Sequence, residues 1–457
     1  MISNAQKKQE EIQELLSRLV MFRDFGENSI LGNIAEALGS LSDGSAAPSI
    51  VTGKLSTEVH RLLELSTAYA LRDNLWQGYL TYLLLMNENP LSLTLEMRRD
   101  ELPGDAEGAA DRGSAVKFAR EDMKIFRKLF FYDFSSVEEQ LGIRLFSAIT
   151  NYHAIPKRRE MYNRRASDEI NLMRSRLEEA ARIPDEEQAT EAMWAILEEE
   201  YRANGVGYFG LNRVFRTERK RDGIHFLPLS NISEVHLDDL IGYEFQKKLL
   251  RENTEAFVSG HKANNCLLFG DSGTGKSTSI KALVTEYQDK GLRMIELYKH
   301  QCRDLAGVIG QIKDRNYKFI IYMDDLSFEE DETEYKYLKA VIEGGLETRP
   351  DNVLIYATSN RRNLIRETWN DTNDLELDKH HSDTVQEKLS LVQRFGITIG
   401  YVRPNQKDYF RIVTELAAKH PEITLSEAEL LREATKWSVS HGGMTGRAAQ
   451  QLIDHLL

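Results

Sequence analysis

From Ile2 to about Tyr208, charged and apolar positions recur every three to four residues and turn dipeptides are scarce, a pattern that predicts helices. Thr57 to Met86 and Ser135 to Tyr152 are the most apolar stretches of this half. The run Leu80 to Met86 (LTYLLLM) is apolar on every side but far shorter than the roughly 20 residues of a membrane-spanning helix, so it reads as a buried core helix. Asp100 to Gly113 is polar and rich in Gly, Asp and Ala, as expected of an exposed loop. Between Asn212 and Asp239 the chain runs through charges, a proline and several turn formers, and a domain linker is expected there. After it, short β-rich runs alternate with helical stretches, the signature of a parallel sheet with crossover helices. The expected strands are Asn265 to Phe269, Arg293 to Leu297, Phe319 to Met323, Val353 to Ala357 and Ile397 to Tyr401. Helical periodicity returns beyond Pro404, with a capping box at Ser426-Glu427-Ala428-Glu429 and a last helix from about Gly446.

Composition narrows the class without changing this outline. A chain of 457 residues has room for two or three domains, and 41% hydrophobic with 29% charged residues is the balance of an ordinary folded protein. The opening MISNAQKKQEEIQELLSRLV carries charges from its first turns and does not read as a signal peptide. Cys266 and Cys302 are far apart and lack metal or redox spacing, which fits a reducing cytoplasm without disulfides or zinc. A net charge of −13 argues against a surface given over to nucleic acid. Two basic clusters, Lys157-Arg158-Arg159 with Arg164-Arg165, and Arg216 with Arg219-Lys220-Arg221, read as solvated charges on helices or a linker.

The strongest chemical signal is Gly270-Asp271-Ser272-Gly273-Thr274-Gly275-Lys276-Ser277, continuing into Thr278, placed between the apolar run Cys266 to Phe269 and a helical segment. It matches G-x-x-x-x-G-K-[ST] in strand–loop–helix context. Glycines let successive backbone N–H groups turn inward around phosphates, and the following helix presents its positive end to them. Lys276 adds a cation for the outer phosphates, and Ser277 offers a hydroxyl to Mg²⁺. A second apolar run, Phe319 to Met323, ends in Asp324-Asp325. Asp324 is expected to hold the magnesium through water, and Asp325 to orient or activate the attacking water, with Glu329 or Glu330 as alternatives. Val353 to Ala357 leads into Thr358-Ser359-Asn360, and Asn360 can align water if this strand lies between the other two.

With these motifs in order, the chain from roughly Asp238 to Leu457 resembles the AAA+ ATPases. The resemblance implies an α/β fold: a P-loop AAA+ parallel sheet with a helical lid, preceded by a mostly α-helical region. It implies ATP and Mg²⁺ as cofactors and a homo-oligomer. Asn360 stands at the place of the family's first sensor. Glu387 to Gly396 (EKLSLVQRFG) is similar to the arginine-finger segment, especially that of the bacterial replication initiator, which makes Arg394 a finger reaching a neighbouring subunit's γ-phosphate. Arg361 and Arg362 are alternative fingers. Gly442 to Arg447 (GGMTGR) matches the start of the last lid helix, where Arg447 takes the place of the second sensor. Leu240-Ile241-Gly242-Tyr243 with Gln246, Asn264-Asn265, and Asp324 to Glu329 also resemble a bacterial branch of ATP-binding proteins of unknown function.

The expected organisation is a helical partner-recognition region at 1–210, a linker at 211–238, the nucleotide-binding domain at 239–403 and the lid at 404–457. The expected function is a cytoplasmic, Mg-dependent ATPase that switches or remodels a protein or nucleic-acid partner, with no membrane involvement. The alternatives are a nucleotide-dependent switch or scaffold with little hydrolysis, and a DNA-associated loader. Tyr298-Lys299-His300-Gln301 lacks an aromatic–Gly pore loop, which counts against peptide threading, and His380-His381 reads as exposed loop.

Overall fold

The computed structural model describes residues 12–26, 28–97, 113–153, 164–229, 235–328, 332–343, 350–361, 364 and 391–457. Lys157 to Arg159, Glu329, Glu330, Arg362, His380-His381, Glu387 to Ser390 and nearly all of the 100–113 loop lie outside them. The chain divides into two compact units, Met1–Asn212 with Pro228–Ile232, and Arg213–Leu227 with Ser233–Leu457.

The described elements of the first unit are helical. Its central helix is Leu75–Met86, the run read as a core helix, and it packs against helices Pro48–Tyr69, Ser114–Phe130 and Arg164–Ala181. A helix apolar all round is stable only when surrounded, and Leu75, Trp76, Tyr79, Leu80 and Leu84 are buried. Three of its polar side chains reach backbone partners, while the buried Gln77 Oε1 has none among the described residues. Trp76 Nε1 donates to the Leu129 carbonyl at 2.8 Å and Gln77 Nε2 to that of Phe130 at 3.2 Å, while Tyr79 Oη accepts from the Leu31 N–H at 2.9 Å. The buried Asp122 carboxylate collects the N–H groups of Val20, Met21 and Phe22 at 2.8–3.2 Å, tying the start of the chain to helix Ser114–Phe130. Among the described residues no helix is long and apolar enough to cross a membrane.

The second unit is α/β. Its strands are β1 (Val214–Lys220), β2 (Gly223–Pro228), β3 (Cys266–Gly270), β4 (Leu292–Glu296), β5 (Lys318–Met323), β6 (Val353–Ser359) and β7 (Ile397–Tyr401), forming a seven-stranded sheet in the order β2-β1-β4-β5-β6-β3-β7. From β1 to β7 the neighbours are parallel. Three helices, Gln406–Ala417, Glu427–Ser440 and Gly446–Leu456, follow β7 and share a core of Tyr409, Ile412, Val413, Leu430, Ala434, Ala449 and Leu452 with Ile241. The expected α/β fold, with its parallel sheet and terminal helical lid, is the fold found.

The segment expected to be a linker differs. Residues 214–228 form β1 and β2, and β1 adds to the sheet beside β4, pairing Val214 with Met294 and Arg216 with Glu296. Buried Val214 and Phe215 anchor it, and its charges are matched: Arg216 Nε meets Glu296 at 2.6 Å, and Arg219 Nε donates to Asp304 at 2.9 Å. The basic cluster at 216–221 is therefore largely strand, with these two arginines in ion pairs.

Cys266 and Cys302 are fully buried, and burial pushes both thiols up to about 12. The native protein is expected to give no labelling with a thiol reagent at pH 8, and two equivalents once unfolded. Rapid labelling of either cysteine in the native state contradicts this packing.

Candidate active site

In a parallel sheet, loops at the carboxyl ends of neighbouring strands meet along one edge. Because β6 lies between β3 and β5, three such ends converge: Gly270 of β3, Asp324 just after β5 and Asn360 just after β6. The phosphate-loop backbone needs its glycines. Gly270 (φ +130°), Gly273 (φ +75°) and Gly275 (φ +93°) all have positive φ, and a Cβ on Gly270 would collide with the Tyr401 carbonyl. Thr274 Oγ1 closes the loop on the Asp271 carbonyl at 2.8 Å. Gly275 then caps helix Lys276–Tyr287 without a side-chain hydrogen bond, so the helix's first N–H groups face the loop.

Lys276 is buried, and its Nζ donates to the carbonyls of Gly270 at 2.8 Å and Asp271 at 2.7 Å and to Asn360 Oδ1 at 3.1 Å. Burial holds its pKa below the ordinary lysine value against the attraction of Asp325, Asp271 and Asp324. Asn360 turns its Nδ2 to Asp325 Oδ1 at 2.7 Å, so one amide joins the lysine to the second acidic residue. Asp324 Oδ1 accepts from Ser277 Oγ at 2.7 Å and from Thr358 Oγ1 at 2.6 Å. Partial burial by itself raises the Asp324 pKa, but the hydroxyls of Thr358, Ser277 and Tyr322 with the nearby charge of Lys281 together outweigh it and hold the carboxyl below its usual value.

The lid closes the other side. Arg447 N donates to the Gly273 carbonyl at 3.1 Å, and the Arg447 Cβ lies 3.2 Å from the place a Cβ would take on Gly273. Between loop and lid is a cavity of about 810 Å³, reached by residues 272–278, Asp324, Asp325, Thr358, Asn360 and Arg447. Its far wall is formed by Leu240, Ile241, Tyr243, Ile412, Leu416 and His420. The sequence marks Thr358 at a strand end without giving it a role, and does not single out Ile412, Leu416 and His420. A hydroxyl at a strand end and ordinary helix positions give no signal until the register and the lid packing bring them together.

The expected site residues thus gather at one place, with Arg394 as the exception. It precedes β7, whose Ile397 pairs with Cys266 at the start of β3, whereas the phosphate loop adjoins Tyr401 at the strand's other end. About 13 Å of strand separates the two ends, at roughly 3.3 Å per residue. Arg394 Nε is paired with Glu343 at 2.8 Å. Arg361, the described alternative, is exposed just beyond Asn360.

The donors suit a hard divalent cation. Ser277 Oγ and the Asp324 carboxylate could serve as oxygen ligands, few in number, leaving coordination positions for phosphate and water. Among the described residues no group of three or more His, Cys, Asp or Glu could hold a metal alone.

No curated protein matches the sequence. Among solved structures, the chain is similar to a RuvB point mutant from Thermotoga maritima, at 19% identity over 48% of this chain and 64% of that one, with a TM-score of 0.34. It is also similar to the Thermotoga maritima RuvB Holliday junction branch migration motor, at 14% identity over 48% of this chain and 71% of that one, with a TM-score of 0.31. In the first of these the match spans less than two thirds of the RuvB chain. The model of the family described as "Protein of unknown function (DUF815)" matches residues 211–457, which covers β1, the sheet, the phosphate loop and the lid. With over half of its length matched, the chain belongs to the DUF815 family.

Proposed function

We propose that the α/β unit is a magnesium-dependent AAA+ ATPase in which binding and hydrolysis of ATP switch an oligomer that acts on a partner. The observation that carries this reading is the convergence of Lys276, Ser277, Asp324 and Asn360 on one cavity closed by Arg447. The loop N–H groups and Lys276 bind the phosphates, and the lid arginine adds a cation from the other side. The apolar wall of Leu240, Ile241, Ile412 and Leu416 is suited to the base. Ser277 and Asp324 would hold magnesium, which would neutralise phosphate charge. Asn360 orients the attacking water, and Asp325 takes its proton once it turns from the Asn360 amide.

Arg394 stands at the opposite end of β3 and β7 from the phosphate loop, too far to serve its own site, which supports a role on a neighbouring copy. Its pairing with Glu343 then has to exchange when copies assemble. The helical first unit is the natural candidate for partner recognition, in a cytoplasmic setting. A nucleic-acid loader, suggested by the likeness of the finger segment to the replication initiator, has weaker support. Arg216 and Arg219 are already matched by Glu296 and Asp304.

Two outcomes follow. Lys276→Ala is expected to weaken ATP binding at least about tenfold in calorimetric titration, in keeping with loss of a buried charge-assisted contact, while the melting transition persists. Unchanged affinity removes the phosphate-loop assignment. Arg394→Ala is expected to bind ATP as the wild type does but to lose hydrolysis that rises with protein concentration, by about a hundredfold or more. Concentration-independent turnover that survives the substitution argues that the finger is elsewhere.

A further inference from the structure

The two acidic residues after β5 are tied to β6 through a single side chain. Thr358 is buried, at 1% exposure, and its hydroxyl accepts the Asp325 N–H at 2.9 Å. A hydroxyl has one proton, and here it is directed to Asp324 Oδ1 at 2.6 Å. The Thr358 carbonyl accepts the next N–H, that of Leu326, at 2.7 Å. Between these bonds Asp325 holds a φ of +49°, in the left-handed region that a non-glycine residue occupies only when its surroundings fix it. Two residues on, just past the end of β6, Asn360 catches the Asp325 carboxylate at 2.7 Å. The backbone of the acidic turn and a hydroxyl donor to Asp324 therefore both depend on Thr358, while Asn360 holds the Asp325 carboxylate.

We propose that Thr358 is a positioning residue whose hydroxyl couples the metal-holding carboxylate of Asp324 to the turn that presents Asp325. This rests on the reading of the cavity as a magnesium–nucleotide site, and it extends that reading to a buried residue on the cavity wall. Valine at this position keeps the shape, leaves the Asp325 N–H without its acceptor and removes a donor from Asp324. Serine keeps both bonds.

The test uses the full chain with ADP and Mn²⁺ as probes, following Mn²⁺ by electron paramagnetic resonance and metal-free ADP binding by calorimetry. Thr358→Val is expected to leave metal-free ADP binding within about threefold of wild type and to weaken Mn²⁺ binding to the ADP complex about 10- to 100-fold, the usual cost of losing a group that orients a metal ligand. Thr358→Ser is expected to restore it, and Thr358→Ala serves should the valine variant not fold. Wild-type Mn²⁺ affinity in both the valine and alanine variants overturns the proposal, as does a loss in the serine variant equal to that in valine. If the wild-type chain binds no ADP, or Lys276→Ala binds ADP equally well, the nucleotide-site reading fails and the role of Thr358 falls with it. If wild type binds both probes and the Thr358 variants bind them as wild type does, the site stands and this role alone is lost.

Discussion

The site is arranged around one buried ammonium group. Placing a lysine amine out of water costs several kcal/mol unless its donors are all occupied. At Lys276 the acceptors come from the carbonyls of Gly270 and Asp271 and from Asn360. The first two require a loop that folds back over its own lysine, which positive φ at Gly270, Gly273 and Gly275 permits. The third requires β6 to lie directly beside β3, and the sheet order provides this. A different order would leave Asn360 a strand away and the lysine short of an acceptor.

That same order accounts for the coupling of the two acids to the phosphate loop. With β6 between β3 and β5, Thr358 reaches Asp324 and the Asp325 backbone on one side, while Asn360 spans from Lys276 to Asp325. Lys276 is therefore linked to Asp325 through one amide, and the Asp324 carboxylate to the same turn through one hydroxyl. The lid enters through the Arg447 N–H on the Gly273 carbonyl, so the helices after β7 share the loop's geometry.

Much of this was legible in the sequence, because it depends on local constraints. The glycine spacing of the loop, the apolar runs ending in Asp324 and Asn360, and the interrupted helical pattern after Pro404 each report a backbone requirement directly. Elements whose stability comes from distant partners were not legible. β1 and β2 looked like a charged linker because only Val214 and Phe215 of β1 carry an apolar anchor. The charges of Arg216 and Arg219 make sense once Glu296 and Asp304 stand opposite. Thr358 gave no signal, since a threonine at a strand end is common and its importance lies in register. Arg394 was legible as a residue type in a motif, but its separation from the phosphate loop appears only when β7 is paired with β3.

The central claim is that this cavity holds a nucleoside triphosphate with its outer phosphates in the glycine loop and a divalent cation between Ser277 and Asp324. A crystal structure of the chain with magnesium and a non-hydrolysable ATP analogue tests it most directly. The β and γ phosphates are expected cradled by residues 271–277, with Lys276 Nζ turned from the Gly270 and Asp271 carbonyls to phosphate oxygen and the cation beside Ser277. Density for the analogue elsewhere on the molecule, or phosphates in the loop with no cation near Ser277 and Asp324, would contradict it.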